Sequence, residues 1–191
     1  MGVTSTPLVE YVPTSTPSSS SGTVTTFEFI VTQLLRLGRL GAFDFNSRFY
    51  ADDDLIVGAA DPFQLFRILY EVVRGGGYAP DSQVTFMLDQ CHNIEQKIPG
   101  QIRSVLNVQE MLARALLVDR QALLTAQSSG DVLAANAVFM DAFYTDVRSP
   151  LADWREERGL PRDPIAAYFA SGYQQQIEES RVGGVQAGWG A

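Results

Sequence analysis

The feature that most limits the fold is a shortage of strands. From Phe27 the chain alternates helix, strand, helix, strand, and then makes only helices. Residues 27–37 place Phe27, Ile30, Val31, Leu34, Leu35 and Leu37 at helical spacing, and Gly38 and Gly41 end the pattern. Residues 42–46 (AFDFN) alternate as a short strand, and the polar residues 47–54 follow as a loop. Asp61-Pro62 is an N-cap followed by proline at the first helical position. The helix it opens runs to about Arg74, with Phe63, Phe66, Ile68, Leu69, Val72 and Val73 inward, and Gly75-Gly76-Gly77 stops it. Residues 84–88 (VTFML) form a continuous apolar run, the pattern of a strand buried on both faces. This order predicts parallel α/β structure. After His92 the patterns over about 102–126, 131–147, 150–158 and 164–176 are helical, and the tail is glycine-rich. Two parallel strands do not make a stable sheet. The remaining strands must come from another chain or from a larger barrel.

Composition narrows the chemistry. The chain has 191 residues, 46% of them hydrophobic, enough for one core or a share of a larger one. Lys and Arg number 14 against 22 Asp and Glu, a net charge of -8. No basic cluster is present to meet phosphates, so no nucleic-acid partner is expected, nor adhesion to an anionic membrane. No apolar run approaches the roughly 18 residues of a membrane span, and a cytoplasmic location is expected. Cys91 is the only cysteine, which excludes an internal disulfide and a cysteine-based zinc site. His92 is the only histidine, so carboxylates must carry the site chemistry. Residues 1–26 are rich in Ser, Thr and Pro, with four serines at 18–21, and read as a disordered segment without the basic start and apolar core of a secretory signal.

The carboxylates fall where parallel folds place their sites, at the carboxyl ends of strands. Asp44 lies in the first strand, Asp52 and Asp54 in the loop after it, and Asp89 directly after the second strand, three residues before His92. Oxygen donors with one nitrogen donor suit a hard divalent ion such as Mn²⁺ or Mg²⁺. An Asp-Asp-Asp run also serves as a solvated turn or a helix cap, and spacing alone leaves both readings open. An EF-hand loop is excluded, because Ile56 occupies the third ligand position and no bidentate Glu follows. A lone histidine such as His92 is more often structural than a ligand, and Cys91 reads as a small buried residue lacking a nearby base. The glycine triplet is a helix stop and no phosphate loop.

Three stretches carry a resemblance: FDFNSRFYADDDLIVGAADPFQLFRI, VTFMLDQCHNIEQKI and SVLNVQEMLARALLVDR, with GLPRDPIAAYFASGYQ and GGVQAGWG toward the end. Over residues 27–191 the chain resembles the carboxy-terminal part of the microbial L-rhamnose isomerases of the broad-specificity branch, metal-dependent TIM-barrel aldose–ketose isomerases. The resemblance implies an α/β fold: the carboxy-terminal portion of a (β/α)8 barrel over 27–99, followed over 100–191 by a helical annex and tail that assemble the family's tetramer. It also implies conversion of L-rhamnose to L-rhamnulose at two divalent ions, typically Mn²⁺, with Mg²⁺ or Co²⁺ as substitutes. Asp52 and Asp54 match the family's ligands of the catalytic ion, and Asp89 a ligand of the structural ion. Asp44 stands where the family carries a metal-binding histidine.

A complete barrel of this kind needs eight βα units and about 250 residues. The resemblance places further metal ligands and most sugar-contacting aromatics on earlier strands, and residues 1–26 match none of them. The expectation from sequence is therefore an isomerase-like chain holding an incomplete site, inactive alone. The alternative is a non-catalytic fragment that associates with an amino-terminal half or a full-length subunit.

Overall fold

The computed structural model describes residues 8–11, 26–48, 54–90 and 96–181. In chain order the elements are β1 (Leu8–Tyr11), α1 (Phe27–Arg36), β2 (Ala42–Phe45), α2 (Pro62–Arg74), β3 (Thr85–Leu88), α3 (Lys97–Leu116), α4 (Arg120–Ser129), α5 (Val132–Tyr144), α6 (Arg148–Glu156), α7 (Pro164–Ala170) and α8 (Tyr173–Arg181). They divide into two compact units, Met1–Arg148 and Ser149–Ala191.

In the first unit the sheet has three strands where the sequence suggests two. β1 arises inside the segment read as disordered, whose residues 1–7 and 12–25 lie outside the described residues. The strands are parallel and each lies beside its neighbour in sequence, in the order β1-β2-β3. Glu10 pairs with Asp44, and Asp44 with Met87. A parallel pair needs a crossover, and α1 and α2 supply the two crossovers of this sheet.

One face of the sheet is buried and the other is open. Phe43 and Phe45 are fully buried, stack on each other at 5.3 Å between ring centroids, and each lies 5.8 Å from Phe86 of β3. These rings join one core with Val31 of α1, Leu65, Phe66 and Leu69 of α2, and Met111 and Ala115 of α3. The alternate positions look the other way. Thr85 is exposed, and Met87 is 41% exposed. The run at 84–88 was expected to be buried on both faces; β3 is covered on one only, because no element among the described residues packs over Thr85 and Met87.

The helices interlock through specific chemistry. Asp61 caps α2 by accepting from Gln64 N at 2.8 Å, with Pro62 opening the helix. Asp119, Asp131 and Asp163 cap α4, α5 and α7 in the same way. Glu28, 8% exposed, pairs with Arg67 at 2.8 Å and ties α1 to α2. The triplet at 75–77 does more than stop α2. A Cβ on Gly75 would fall 2.7 Å from Leu35 Cδ1, and one on Gly77 2.9 Å from Val72 Cγ1, while Gly76 has φ +80°. The helical pattern at 102–126 is two helices, because the Asp119 carboxylate starts a new one by accepting from Ala122 N at 2.9 Å. The pattern at 164–176 is likewise split, with Ser171 and Gly172 between α7 and α8.

α5 packs Phe139 and Phe143 edge-on against Tyr70, Phe66 and Phe63 of α2. Its far side carries Leu133 (84% exposed) and Tyr144. In the second unit Trp154, Leu160, Phe169 and Tyr173 are exposed, and Arg155 is buried and donates to the Arg162 carbonyl at 3.1 Å. No helix among the described residues is long and apolar enough to cross a membrane.

Burial depth sets the expected cost of substitution. Phe66→Ala empties a fully buried site and should lower stability by about 3–5 kcal/mol, whereas Leu133→Ala should stay within about 0.5 kcal/mol. Denaturant unfolding of the two variants beside the unaltered chain measures the difference.

Candidate functional site

The carboxyl ends of β2 and β3 gather three of the four acidic residues singled out in the sequence. Asp44 sits half-buried on the open face of β2, opposite Met87. Side chains two positions apart on a strand share a face, so Asp89, two residues past Met87, emerges on the same face as Asp44. Its own N–H donates to the Phe45 carbonyl at 3.0 Å and continues the ladder, and its side chain is exposed. Asp54 arrives from the loop. Asn46, buried one residue beyond β2, donates from Nδ2 to Asp54 Oδ1 at 3.2 Å. Asp54 has φ 39°, the left-handed region, which aspartate tolerates better than most residues. Asp52, Cys91 and His92 lie outside the described residues. Among the described residues no three Asp, Glu, His or Cys side chains come close enough to hold an ion. Asp44, Asp54 and Asp89 therefore share one end of the sheet without closing into a ligand set.

Beneath the carboxylates lies a layer of buried polar groups. Ser47 and Ser104 are fully buried, and Gln90 and Asn46 nearly so. The loop leaves β2 at Ser47 and returns at Leu55, where the two backbones form an antiparallel bridge with N–H···O distances of 3.1 and 2.6 Å. The returning limb is then fastened on two sides. Gly58 N donates to Ser47 Oγ at 2.9 Å. Val57 N donates to Ser104 Oγ at 3.1 Å, and Asn107 Nδ2 donates to the Val57 carbonyl at 2.8 Å. Ser104 Oγ in turn donates to Gln90 Oε1 at 3.3 Å, and Gln101 donates to the Gln90 carbonyl. Buried polar groups are costly unless hydrogen-bonded, and the side chains of Ser47, Ser104 and Gln90 each take part in this set of bonds.

None of Ser47, Gln90, Ser104 or Asn107 stood out in the sequence. The signal that could have found two of them is a break in pattern. Gly100, Ser104, Met111 and Ala115 are the buried residues of α3. Their spacing of four, seven and four makes a core-facing stripe. Ser104 and Asn107 lie on that stripe, polar where apolar residues are expected.

No protein-family model matches the chain. Two curated proteins do. It is 39% identical over 159 residues to a "probable sugar isomerase" of Rhizobium meliloti (strain 1021), covering 81% of this chain and 36% of that protein. It is 39% identical over 159 residues to a "probable sugar isomerase" of Mesorhizobium japonicum, with the same coverage. The chain thus spans 36% of the length of the curated relatives it matches.

The limb that closes the loop depends on Gly58, whose φ is +77° and whose added Cβ would lie 3.1 Å from Leu65 Cδ2. Gly58→Ala should destabilise the chain by about 1–2 kcal/mol from the left-handed backbone alone. A lowered midpoint of chemical unfolding checks this.

Proposed function

We propose that the chain is the metal-binding carboxy-terminal portion of an aldose–ketose isomerase of the L-rhamnose type. What carries the reading is the set of carboxylates at the C-terminal end of a parallel sheet, in a chain similar to proteins named sugar isomerases. Three further observations support it. Strands in sequential order with their crossover helices in one core suit a section of a (β/α)8 barrel. An open face opposite those helices suits a barrel interior. Active sites of such barrels sit where Asp44, Asp54 and Asp89 emerge.

The donors fit a divalent ion in kind. They are carboxylate oxygens, as hard ions such as Mn²⁺, Mg²⁺ or Co²⁺ require, and Asp52 and Asp54 would hold the catalytic ion while Asp89, with Asp44, would hold the structural one. In number they make part of a shell, and the rest is proposed to come from residues on other strands. When bound, the ions supply Lewis-acid polarisation of the sugar's oxygens. In the isomerisation a hydride moves from C2 to C1 of the open-chain sugar and a proton passes from O2 to O1, so aldose and ketose balance without another reactant. This chain's own part is to hold and orient. Asn46 turns the Asp54 carboxylate, and the bridge between Ser47 and Leu55 returns the loop to the strand end. The small-sugar substrate, L-rhamnose, comes from the resemblance alone. Assembly as a homotetramer is proposed with it, and the outward apolar residues of α5 favour contact with other copies.

A second reading rests on the uncovered sheet face. Thr85 and Met87 face outward in this chain, and strands of an amino-terminal half or of a full-length subunit would cover them. Size-exclusion chromatography of the chain with and without a full-length relative separates this association from a free-standing chain.

Calorimetric titration with Mn²⁺ tests the metal proposal. The unaltered chain should bind, and Asp54→Asn and Asp89→Asn should each weaken binding at least tenfold. No Mn²⁺ binding, or binding indifferent to both substitutions, would falsify the ligand assignment. A coupled ketose assay with L-rhamnose and Mn²⁺ should show little turnover by the chain alone, and turnover matching a full-length relative would show that no further strands are needed.

A further inference from the structure

We infer that Ser104 is a positioning residue, whose hydroxyl sets the spacing between the loop that bears Asp54 and the strand end that bears Asp89. The inference rests on the metal reading above and concerns a residue that touches neither ion nor sugar. The geometry is specific. Ser104 lies on α3, is fully buried, and uses its one hydroxyl in both senses. It accepts from Val57 N, three residues after Asp54, and donates to Gln90 Oε1, one residue after Asp89. A hydroxyl can do both at once. An apolar side chain can do neither, and alanine there would remove the acceptor of the buried Val57 N–H and one donor to the Gln90 amide oxygen.

The rest of the layer makes Ser104 the joint. On the β2 side the limb is fastened independently, through Ser47 and Gly58. On the α3 side Asn107 grips the Val57 carbonyl, and Gln101 grips the Gln90 carbonyl, but each holds only one of the two segments. Ser104 alone among these groups bonds to both. Both segments stay tied to β2 and to α3 by other bonds, and losing the hydroxyl should remove the one side chain that bonds to both and loosen their relative placement. Groups one layer behind a metal site commonly act in this way, with losses of ten- to a hundredfold in metal affinity when removed.

The test uses the full chain and Mn²⁺ alone, with binding read by electron paramagnetic resonance well below the unfolding temperature. Ser104→Ala is expected to weaken Mn²⁺ binding by about tenfold or more and to speed hydrogen exchange at the Val57 amide. Ser104→Thr, which keeps the hydroxyl, should recover most of the affinity. Val72→Ala serves as the structural control, because Val72 is fully buried beside Gly77 near the C-terminal end of α2 and takes part in none of the hydrogen bonds of the layer given above. It should leave Mn²⁺ affinity unchanged. Mn²⁺ affinity within twofold of the unaltered chain in Ser104→Ala, or an equal loss in Val72→Ala, overturns the positioning role and leaves the metal reading standing. Absence of Mn²⁺ binding in the unaltered chain overturns the metal reading, and the positioning role with it.

Discussion

The structure depends on a sheet packed from one side. Phe43 and Phe45 turn toward the helices, and Phe86 stacks with them from the next strand. Because side chains alternate across a strand, that choice fixes where Asp44 must point. A slip of one residue would bury Asp44 against Val31, Leu65 and Phe66 and lift two phenylalanines into the open, a cost that holds the register firmly. The same alternation sends Asp89 to the face of Asp44. The acidic residues share a surface because the aromatic ones share the other.

Much of this was legible wherever a local signal decides local structure. Asp61-Pro62 and the triplet 75–77 marked the limits of α2 to within a residue, since a carboxylate cap, a prolyl ring and glycines act on their own neighbours. Strand-end reasoning placed Asp44 and Asp89 correctly on β2 and after β3. The misses share a cause of the opposite kind. LVEY looks like part of a Ser/Thr/Pro segment, and becomes a strand only because the edge of β2 offers partners. The apolar pattern runs unbroken through Leu116, Leu117 and Val118, so the division of the long helical stretch shows only in the use made of Asp119. The layer of Ser47, Gln90, Ser104 and Asn107 is assembled from three separate stretches of chain, and no one stretch announces it.

The acidity of the chain also reads differently once the side chains are placed. Asp61, Asp119, Asp131 and Asp163 sit at helix starts, where the partial positive charge of the amide ends favours them. Glu28 answers Arg67, and Asp153 and Glu156 answer Arg162. Part of the chain's acidity is thus the chemistry of starting and joining helices. Asp44, Asp54 and Asp89 stand apart in serving none of those helix starts.

The bonds from the loop's returning limb to α3 join residues 47 and 50 positions apart. Among the described residues that side of the limb is held from α3. It is therefore no firmer than the seating of α3 on α2, and a fluctuation that lifts α3 away releases Val57 and Gln90 together. The carboxylate end is thereby linked to the helical layer behind it, and an opening of that layer is expected to open the carboxylate end with it.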